Sequence, residues 1–431
     1  MKSFTKAYIP YGGYYSTPFS RWQGSMQYDN AVSLAAETAR RWFLEKRKID
    51  PTVIDYLFLG STVAQNHWFI AHNWVASILT DDKKFVPGLF VNQCCSTSTT
   101  VLNLAAMNLE LGVYEVAFGL MADRCSNGPH TIWPDPLGPG GQPDREDWNM
   151  DNFGGNPKHR AAMVQTAENV AVEFNITKEE CDAVALRRYE QYQMALANDR
   201  AFQKRYMFPP QVTVNRKTKK LVETDEGWTA TTAEGLAKLK PVVADGVLSF
   251  GAQTFPADGN CGIIVTTRDK AKELSSDPKI EVQIVSYGFS RVKPMFMPAA
   301  PIPAAEMALA NAGVKLTDVK AVKTHNPFAV NDIAFSKKTG YDVMKMNNNG
   351  SSLIYGHPQG PTAGRAMIEM IEEITLLGGG YGLFTGCAAG DAAAASPAAH
   401  PVKRPYPPPR RVISSIISIM ALPAVGPWGC P

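Results

Sequence analysis

An α/β fold, with a mostly parallel sheet covered by helices, is what this sequence predicts, and three adjacent segments carry the prediction. The run "IDYLFLGSTV" (54–63) is a short apolar stretch ending in Gly-Ser, the pattern of a strand buried on both faces. "LFVNQCCSTSTTVLNLAAMNLELG" (89–112) reads as a strand end, a polar elbow and an apolar helix closing at Gly112. "YEVAFGLMADRCSNGP" (114–129) is a second buried strand that runs into a Gly/Pro-rich break. Strand, helix and strand joined by tight links place helices over a parallel sheet.

The same grammar returns later. From about Asn127 to Trp148 the text is rich in Pro and Gly, a long excursion, and it is followed by the helical stretch 166–199. There Thr177 with Glu180 three residues on is a capping-box signature. A second β–α region starts near Lys279 with "KIEVQIVSYGFS" and continues as helix, strand and turn through "AAEMALANAGVKLTDVKAVKTHNPFA" (304–329). Two similar β–α halves, read as an ancient duplication, give these expected divisions: 1–126 for the first half, 127–240 for an inserted loop domain, 241–278 for the return to the first half, and 279–395 for the second half. Residues 396–431 form an atypical tail, where Pro density jumps and basic residues cluster; it reads as a flexible extension or as a shifted reading frame replacing a last strand.

Composition narrows the function classes. The chain has 431 residues, 45% hydrophobic and 19% charged, which is globular rather than disordered composition. A net charge of +3 is too balanced to argue for nucleic acid as a partner, although positive side chains can still line a groove for an anionic ligand. Seven cysteines in no framework spacing favour reduced thiols and a cytoplasmic protein over a disulfide scaffold. No CxxC pair occurs, so no metal site is expected, and no apolar run reaches the roughly 18 residues of a membrane span.

The residues suited to chemistry sit at strand ends. A cysteine in an apolar α/β protein is ordinarily packing. Cys94 and Cys95, however, stand where a strand meets a helix, and a helix N-terminus lowers a thiol pKa. Such a thiol needs a base. His357, held between glycines and prolines in "NNNGSSLIYGHPQGPTAGR" (347–365), is the best candidate, and His325 in "KTHNPFAVND" is the second. Cys387 follows a strand and precedes a Gly/Ala run that lets backbone approach a ligand closely. Ligands of open α/β sheets bind at such loops, and two thiols with histidine suit acyl transfer coupled to making or breaking a carbon–carbon bond.

In this order of motifs the sequence resembles the thiolases over roughly residues 5 to 395, closest to the branch related to sterol-carrier-protein thiolases. "STPFSRWQGS" is similar to the opening "RTPFG" segment, and Val91, Asn92 and Cys95 match the "VN-x-x-C-x-S" elbow. "MVQTAENVA" (163–171) and "LAKLKP" (236–241) are intact, while "GAQTFPADGN" is a degraded form of "GNxSGxxDGA". The loops around His357 and Cys387 match "NxNGGxxAxGHPxGAxGxR" and "CxGGGxG", the second with its glycines thinned to Ala-Ala-Gly-Asp. Where many members have "NEAFA", this chain has "HNPFA", so His325 stands at the asparagine position.

The resemblance implies a five-layered αβαβα core and the reversible cleavage of a 3-oxoacyl-CoA by CoA through an acyl-enzyme. Cys95 would be the nucleophile, with Cys94 its packing neighbour. His357 would be the base, Cys387 the second acid/base, and His325 would hold a water or polarise the thioester oxygen. Coenzyme A is expected as cosubstrate, with no permanently bound cofactor. Thr254 stands at a pantetheine-contacting position and Met163 in the loop domain over the cofactor, and Arg188 is one of several basic residues offered to the phosphates. The second oxyanion hole is expected from the backbone N–H groups of Cys95 and Cys387.

Partners implied are acyl-CoA, CoA and a second copy of the chain, as a homodimer or dimer of dimers, with a separate OB-fold, zinc-bearing accessory protein as in some members of the branch. The aromatic-rich segments 8–22 and 126–153 raise the alternative of a bulky substrate such as benzoylsuccinyl-CoA. A ketosynthase-like condensing enzyme and an inactive scaffold subunit are the remaining alternatives. Cys387 in its loop argues against the former, and the eroded "CAAGD" motivates the latter.

Overall fold

The computed structural model describes residues 3–155 and 157–400. The first half contributes strands β1 (Tyr8–Pro10), β2 (Tyr14–Ser16), β3 (Tyr56–Gly60), β4 (Gly88–Val91), β5 (Val116–Arg124) and β6 (Ala257–Thr266). The second contributes β7 (Glu281–Ile284), β8 (Gly288–Arg291), β9 (Val319–His325), β10 (Gly380–Ala388) and β11 (Ala392–His400). From the middle outwards the first half runs β1, β6, β5, β3, β4 and the second runs β7, β11, β10, β9. In each half the first strand therefore lies beside the last, and the penultimate (β5, β10) lies between the last and the third (β3, β9). β2 and β8, which continue those first strands, pair with β6 and β11 respectively. The duplication read from the sequence is thus present in the topology, and antiparallel pairing of β1 with β7, Ile9 opposite Val282, joins the halves.

The sheet is mixed rather than mostly parallel. Only β3–β4, β3–β5 and β9–β10 are parallel, whereas β5–β6, β1–β6, β7–β11 and β10–β11 are antiparallel. An apolar run records burial on both faces and carries no sign of strand direction. Direction is set by the connections: β6 returns after the long excursion, and β11 follows β10 through a tight turn in which Gly390 and Asp391 take positive φ (86° and 62°). β11 also extends through His400, so 396–400 continue the second half; the rest of the expected tail lies outside the described residues.

The helices that place the site are α1 (Ala31–Arg41), α2 (Ala71–Thr80), α3 (Thr97–Glu110), α4 (Met163–Glu173), α5 (Lys178–Arg200), α6 (Pro301–Ala312), α7 (Ala329–Thr339) and α8 (Gly360–Leu376). Strand alternation sorts them into layers. Leu57 and Leu59 of β3 face α1 and α2, while Phe58 between them faces the centre. Leu383 of β10 faces α6 and α7, while Phe384 faces the centre. The central layer is α3 and α8, through Val101, Leu102, Ala105 and Leu109 against Met367, Met370, Ile371 and Ile374. The result is the order αβαβα. Thr177 and Glu180 cap α5 in the expected box. Among the described residues no helix is long and apolar enough to cross a membrane.

The close approach in the central layer depends on Gly364. A Cβ there would press on Cys261 Sγ and lie 3.0 Å from Ser98 Oγ, all buried. Gly364→Ala is therefore expected to destabilise the fold by about 1–3 kcal/mol, read as a lower urea midpoint at unchanged slope. An unchanged midpoint would contradict this packing.

Candidate active site

The elbow before α3 is built by its own side chains. Asn92 Oδ1 accepts from the Cys94 N–H at 3.0 Å, and Cys94 takes φ 47° in the left-handed region. That geometry delivers Cys95 into a 3-10 turn, Cys94–Ser96, leading into α3. The Ser/Thr run that follows the cysteines ties this turn to its surroundings. Thr97 Oγ1 bonds Cys94 O and the Gln93 N–H (2.7 and 2.9 Å), Ser96 Oγ donates to Gly386 O (3.3 Å), and Ser98 Oγ donates to Gly360 O. The Cys95 turn, the His357 loop and the Cys387 strand are thereby locked together.

The structure brings all four expected site residues to that point. His357 Nε2 lies 3.1 Å from Cys95 Sγ, and its Nδ1 lies 2.6 Å from Thr362 Oγ1. His325 ends β9 and pairs in register with Gly386, which puts it beside Cys387 at the same sheet edge. The His325 and His357 rings stack at 4.0 Å between centroids. Cys387 Sγ accepts from Asn331 Nδ2 at 3.3 Å.

Burial sets the protonation of the site. It pushes the Cys95 thiol well above its ordinary value, helped by Cys387 and Cys94 and opposed by the backbone N–H groups of Ala389 and Cys95. It pushes Cys387 up to about 12, opposed by the Asn331 amide, and lowers His357 to about 3, opposed by Gln359. His325 is driven well below the usual histidine value, by burial and then by His357. Thiols and imidazoles are thus neutral near pH 7, and His357 is a proton acceptor poised on Cys95.

The hydrogen-bond network also assigns the tautomer of His325. Asn326 Nδ2 donates to Asp332 at 2.7 Å, so its Oδ1 is the atom that accepts from the Ser352 hydroxyl at 3.1 Å. Ser352 has no second proton for His325 Nδ1, 3.1 Å away, so the imidazole donates there. The buried Nε2 keeps its lone pair and has no partner.

Two expectations need revision. Arg188 is fully buried, paired with Asp332 through Nε and Nη2 (3.1 and 3.0 Å), and bonded to Gln191 and Val343 O, so it is a structural anchor and not a ligand for phosphate. A run of basic residues on a helix does not reveal which one points inward. Cys94 does not pack: it is half-buried and lines a cleft of about 280 Å³ together with Trp148, Phe153, Met163 and Gln359. The backbone N–H groups that oppose the upward shift of the Cys95 thiol are its own and that of Ala389. Thr254 has its hydroxyl on Ser352 O at 2.5 Å and its N–H on Pro327 O at 2.7 Å, which ties it to the loops of His325 and His357.

Two contacts were not found from the sequence. Gln359 Oε1 lies 3.2 Å from Cys95 Sγ, from a backbone at φ 51°; it fills the variable position between His-Pro and Gly, so a motif match passes over it. Asn331 is one of several polar residues in α7, and only the fold shows which faces Cys387. The ligand atoms of Cys95, His325 and His357 all lie within 4.8 Å of one another.

Comparisons with known proteins find relatives over most of the chain. The family description "Thiolase, N-terminal domain" matches residues 13–269, and "Thiolase, C-terminal domain" matches 278–398. A β-ketothiolase of Cupriavidus necator is 30% identical over 317 residues, 72% of this chain and 78% of its own length. The human mitochondrial 3-ketoacyl-CoA thiolase is 28% identical over 384 residues, 88% of this chain and 95% of its own. A crystal structure of the Bacillus anthracis acetyl-CoA acetyltransferase superposes with a TM-score of 0.84 at 26% identity, covering 93% of this chain and all (100%) of that one. The human mitochondrial thiolase in complex with CoA gives 0.84 at 25% identity, covering 93% and 99%.

Two outcomes follow from the buried charges and the neutral pair. A lowered imidazole and a raised thiol mean no resting ion pair, so alkylation of Cys95 by iodoacetamide should climb about tenfold per pH unit from about pH 6 to about pH 9. A rate already level above about pH 6 would reveal a preformed thiolate–imidazolium pair. Arg188→Met leaves the Asp332 carboxylate buried without its partner and is expected to lower stability by about 3–5 kcal/mol in denaturant unfolding, against little change for a phosphate-binding surface arginine.

Proposed function

The chain belongs to the thiolase family, and from that premise we propose that it cleaves a 3-oxoacyl-CoA with CoA, yielding an acyl-CoA and a shortened acyl-CoA, through an acyl group carried on Cys95. The observation that carries this reading is the 3.1 Å contact between His357 Nε2 and Cys95 Sγ, with Cys387 held beside them. His357 takes the thiol proton as sulfur attacks the 3-keto carbon. The oxyanion that forms meets the N–H groups of Cys95 and Ala389, which already face that sulfur. The Cα–Cβ bond then breaks, and Cys387 gives its proton to the carbon of the departing enolate. The Cys387 thiolate next takes the proton of an incoming CoA thiol, and the CoA sulfur takes the acyl group from Cys95, whose sulfur recovers the proton held on His357. His325, as the Nδ1–H tautomer, offers an acceptor, so of its two expected roles holding a water against the enolate oxygen fits and direct polarisation does not.

The aromatic walls of the cleft, Trp148 and Phe153 beside Cys94, support an acyl group of apolar bulk. Homodimerisation has support in β4, which ends the sheet with β3 as its paired neighbour and lies near the exposed Phe85 and Leu89.

The test is thiolysis of a panel of linear, branched and aromatic 3-oxoacyl-CoAs, with mass spectrometry of the acylated peptide. Cys95→Ala should lose at least about a thousandfold in kcat and all labelling. Cys387→Ala should keep acylation of Cys95 yet lose exchange of the acetyl-CoA α-protons with deuterated water. Normal turnover by Cys95→Ala, or no labelling of the unaltered protein, would overturn the assignment.

A further inference from the structure

We infer that Asn331 is a positioning residue for the Cys387 half of the reaction: its amide NH2 holds the Cys387 sulfur and supports the thiolate left once that thiol has given up its proton. The inference rests on the thiolysis reading above and adds a residue to it. Asn331 Oδ1 accepts from the Phe328 backbone N–H at 3.2 Å, and a backbone N–H can only donate. The carboxamide is therefore fixed with its NH2 on the other side, where Nδ2 lies 3.3 Å from Cys387 Sγ. Both residues are buried, so the sulfur depends on protein partners.

The amide is held firmly. Asn331 sits in the first turn of α7, with its own N–H on Phe328 O at 3.1 Å. Its neighbour Asp332 is pinned by Arg188, Thr324 and Asn347. The two thiols also differ in what faces them. Cys95 meets acceptors, His357 Nε2 at 3.1 Å and Gln359 Oε1 at 3.2 Å, so its proton is drawn toward the base. Cys387 meets a donor, which occupies a sulfur lone pair and leaves its S–H directed elsewhere. The step balances: the Cys387 S–H bond breaks, the proton forms a C–H bond at the enolate carbon, and the thiolate keeps the Asn331 hydrogen bond until a CoA thiol returns a proton. Among the described residues no cationic side chain donates to that sulfur. Burial, the largest influence, pushes the thiol up to about 12, and Asn331 stands first among the groups that lower it. A hydrogen bond made to the charged form favours that form, here by about tenfold in thiolate fraction.

The experiment uses the full chain with two variants of similar side-chain volume. Asn331→Leu removes the donor. Asn331→Asp keeps an acceptor for the Phe328 N–H, should the first misfold, and sets a carboxylate oxygen against the sulfur. Each is made in a Cys95→Ala background, and alkylation of Cys387 by iodoacetamide is followed by mass spectrometry of its peptide. From about pH 7 to about pH 10, Cys387 should react about tenfold more slowly in both variants than with Asn331 present. Loosened packing alone would expose the sulfur and speed the reaction, so the sign separates a positioning role from a merely structural one. With Cys95 restored, exchange of acetyl-CoA α-protons in deuterated water should fall by a similar factor while Cys95 is still acylated. Unchanged or faster alkylation of Cys387 in a folded variant would overturn the proposal. The alkylation needs no substrate, so it decides on Asn331 independently; failure of the unaltered protein to acylate Cys95 would count against the thiolysis reading instead.

Discussion

The buried Asp332 carboxylate is the constraint on which this site rests. It accepts from Arg188 of α5, from Thr324 and Asn326 at the end of β9, and from Asn347 in the loop before His357, at 2.5 to 3.1 Å. The donors come from three different elements, so a single buried carboxylate fixes the inserted segment, a strand end and the His357 loop against one another. A buried pair of this kind adds little stability over a well-packed apolar substitute, and its role here is positional. Through Asn326 and Ser352 it also decides which nitrogen of His325 carries the proton.

A second buried network serves His357 in the same manner. Arg365 binds Asp225 through two nitrogens at 2.6 and 2.8 Å, reaches Glu369 at 3.0 Å, and lies 3.7 Å over the Tyr355 ring. It therefore clamps the start of α8 to the excursion that covers the sheet, directly beneath the His357 loop. Arginine is suited to this because its fork meets a carboxylate in two places and its flat face packs on an aromatic ring. The two networks explain why neutral, desolvated thiols and imidazoles can be held at hydrogen-bond distance: the polar groups that fix them are themselves fully satisfied by partners further out.

Much of this was legible in the sequence, in a particular way. Cys95, His357 and Cys387 lie in Gly-rich strand-end loops, where residue type and local backbone signal chemistry together, and the structure brings them into one cluster. The duplication was legible because apolar runs mark strands. Strand direction was not, because it depends on connections: β6 and β11 enter antiparallel after an excursion and a tight turn. Arg188 misled because its neighbours Arg187 and Arg200 look the same in one dimension. The Ser/Thr run, Gln359 and the Ala389 N–H escaped for a shared reason: each acts through a hydrogen bond to a residue distant in the chain.

The account's central claim is that a buried relay from Asp332 fixes the tautomer of His325, with Nδ1 as the donor and Nε2 as a bare acceptor beside His357. Neutron diffraction from crystals exchanged into deuterated buffer tests this most directly, since it places the proton. The account predicts deuterium on Nδ1 of His325, directed at Ser352 Oγ, with Nε2 bare. Deuterium on Nε2, with the Ser352 hydroxyl turned toward Nδ1, would contradict it.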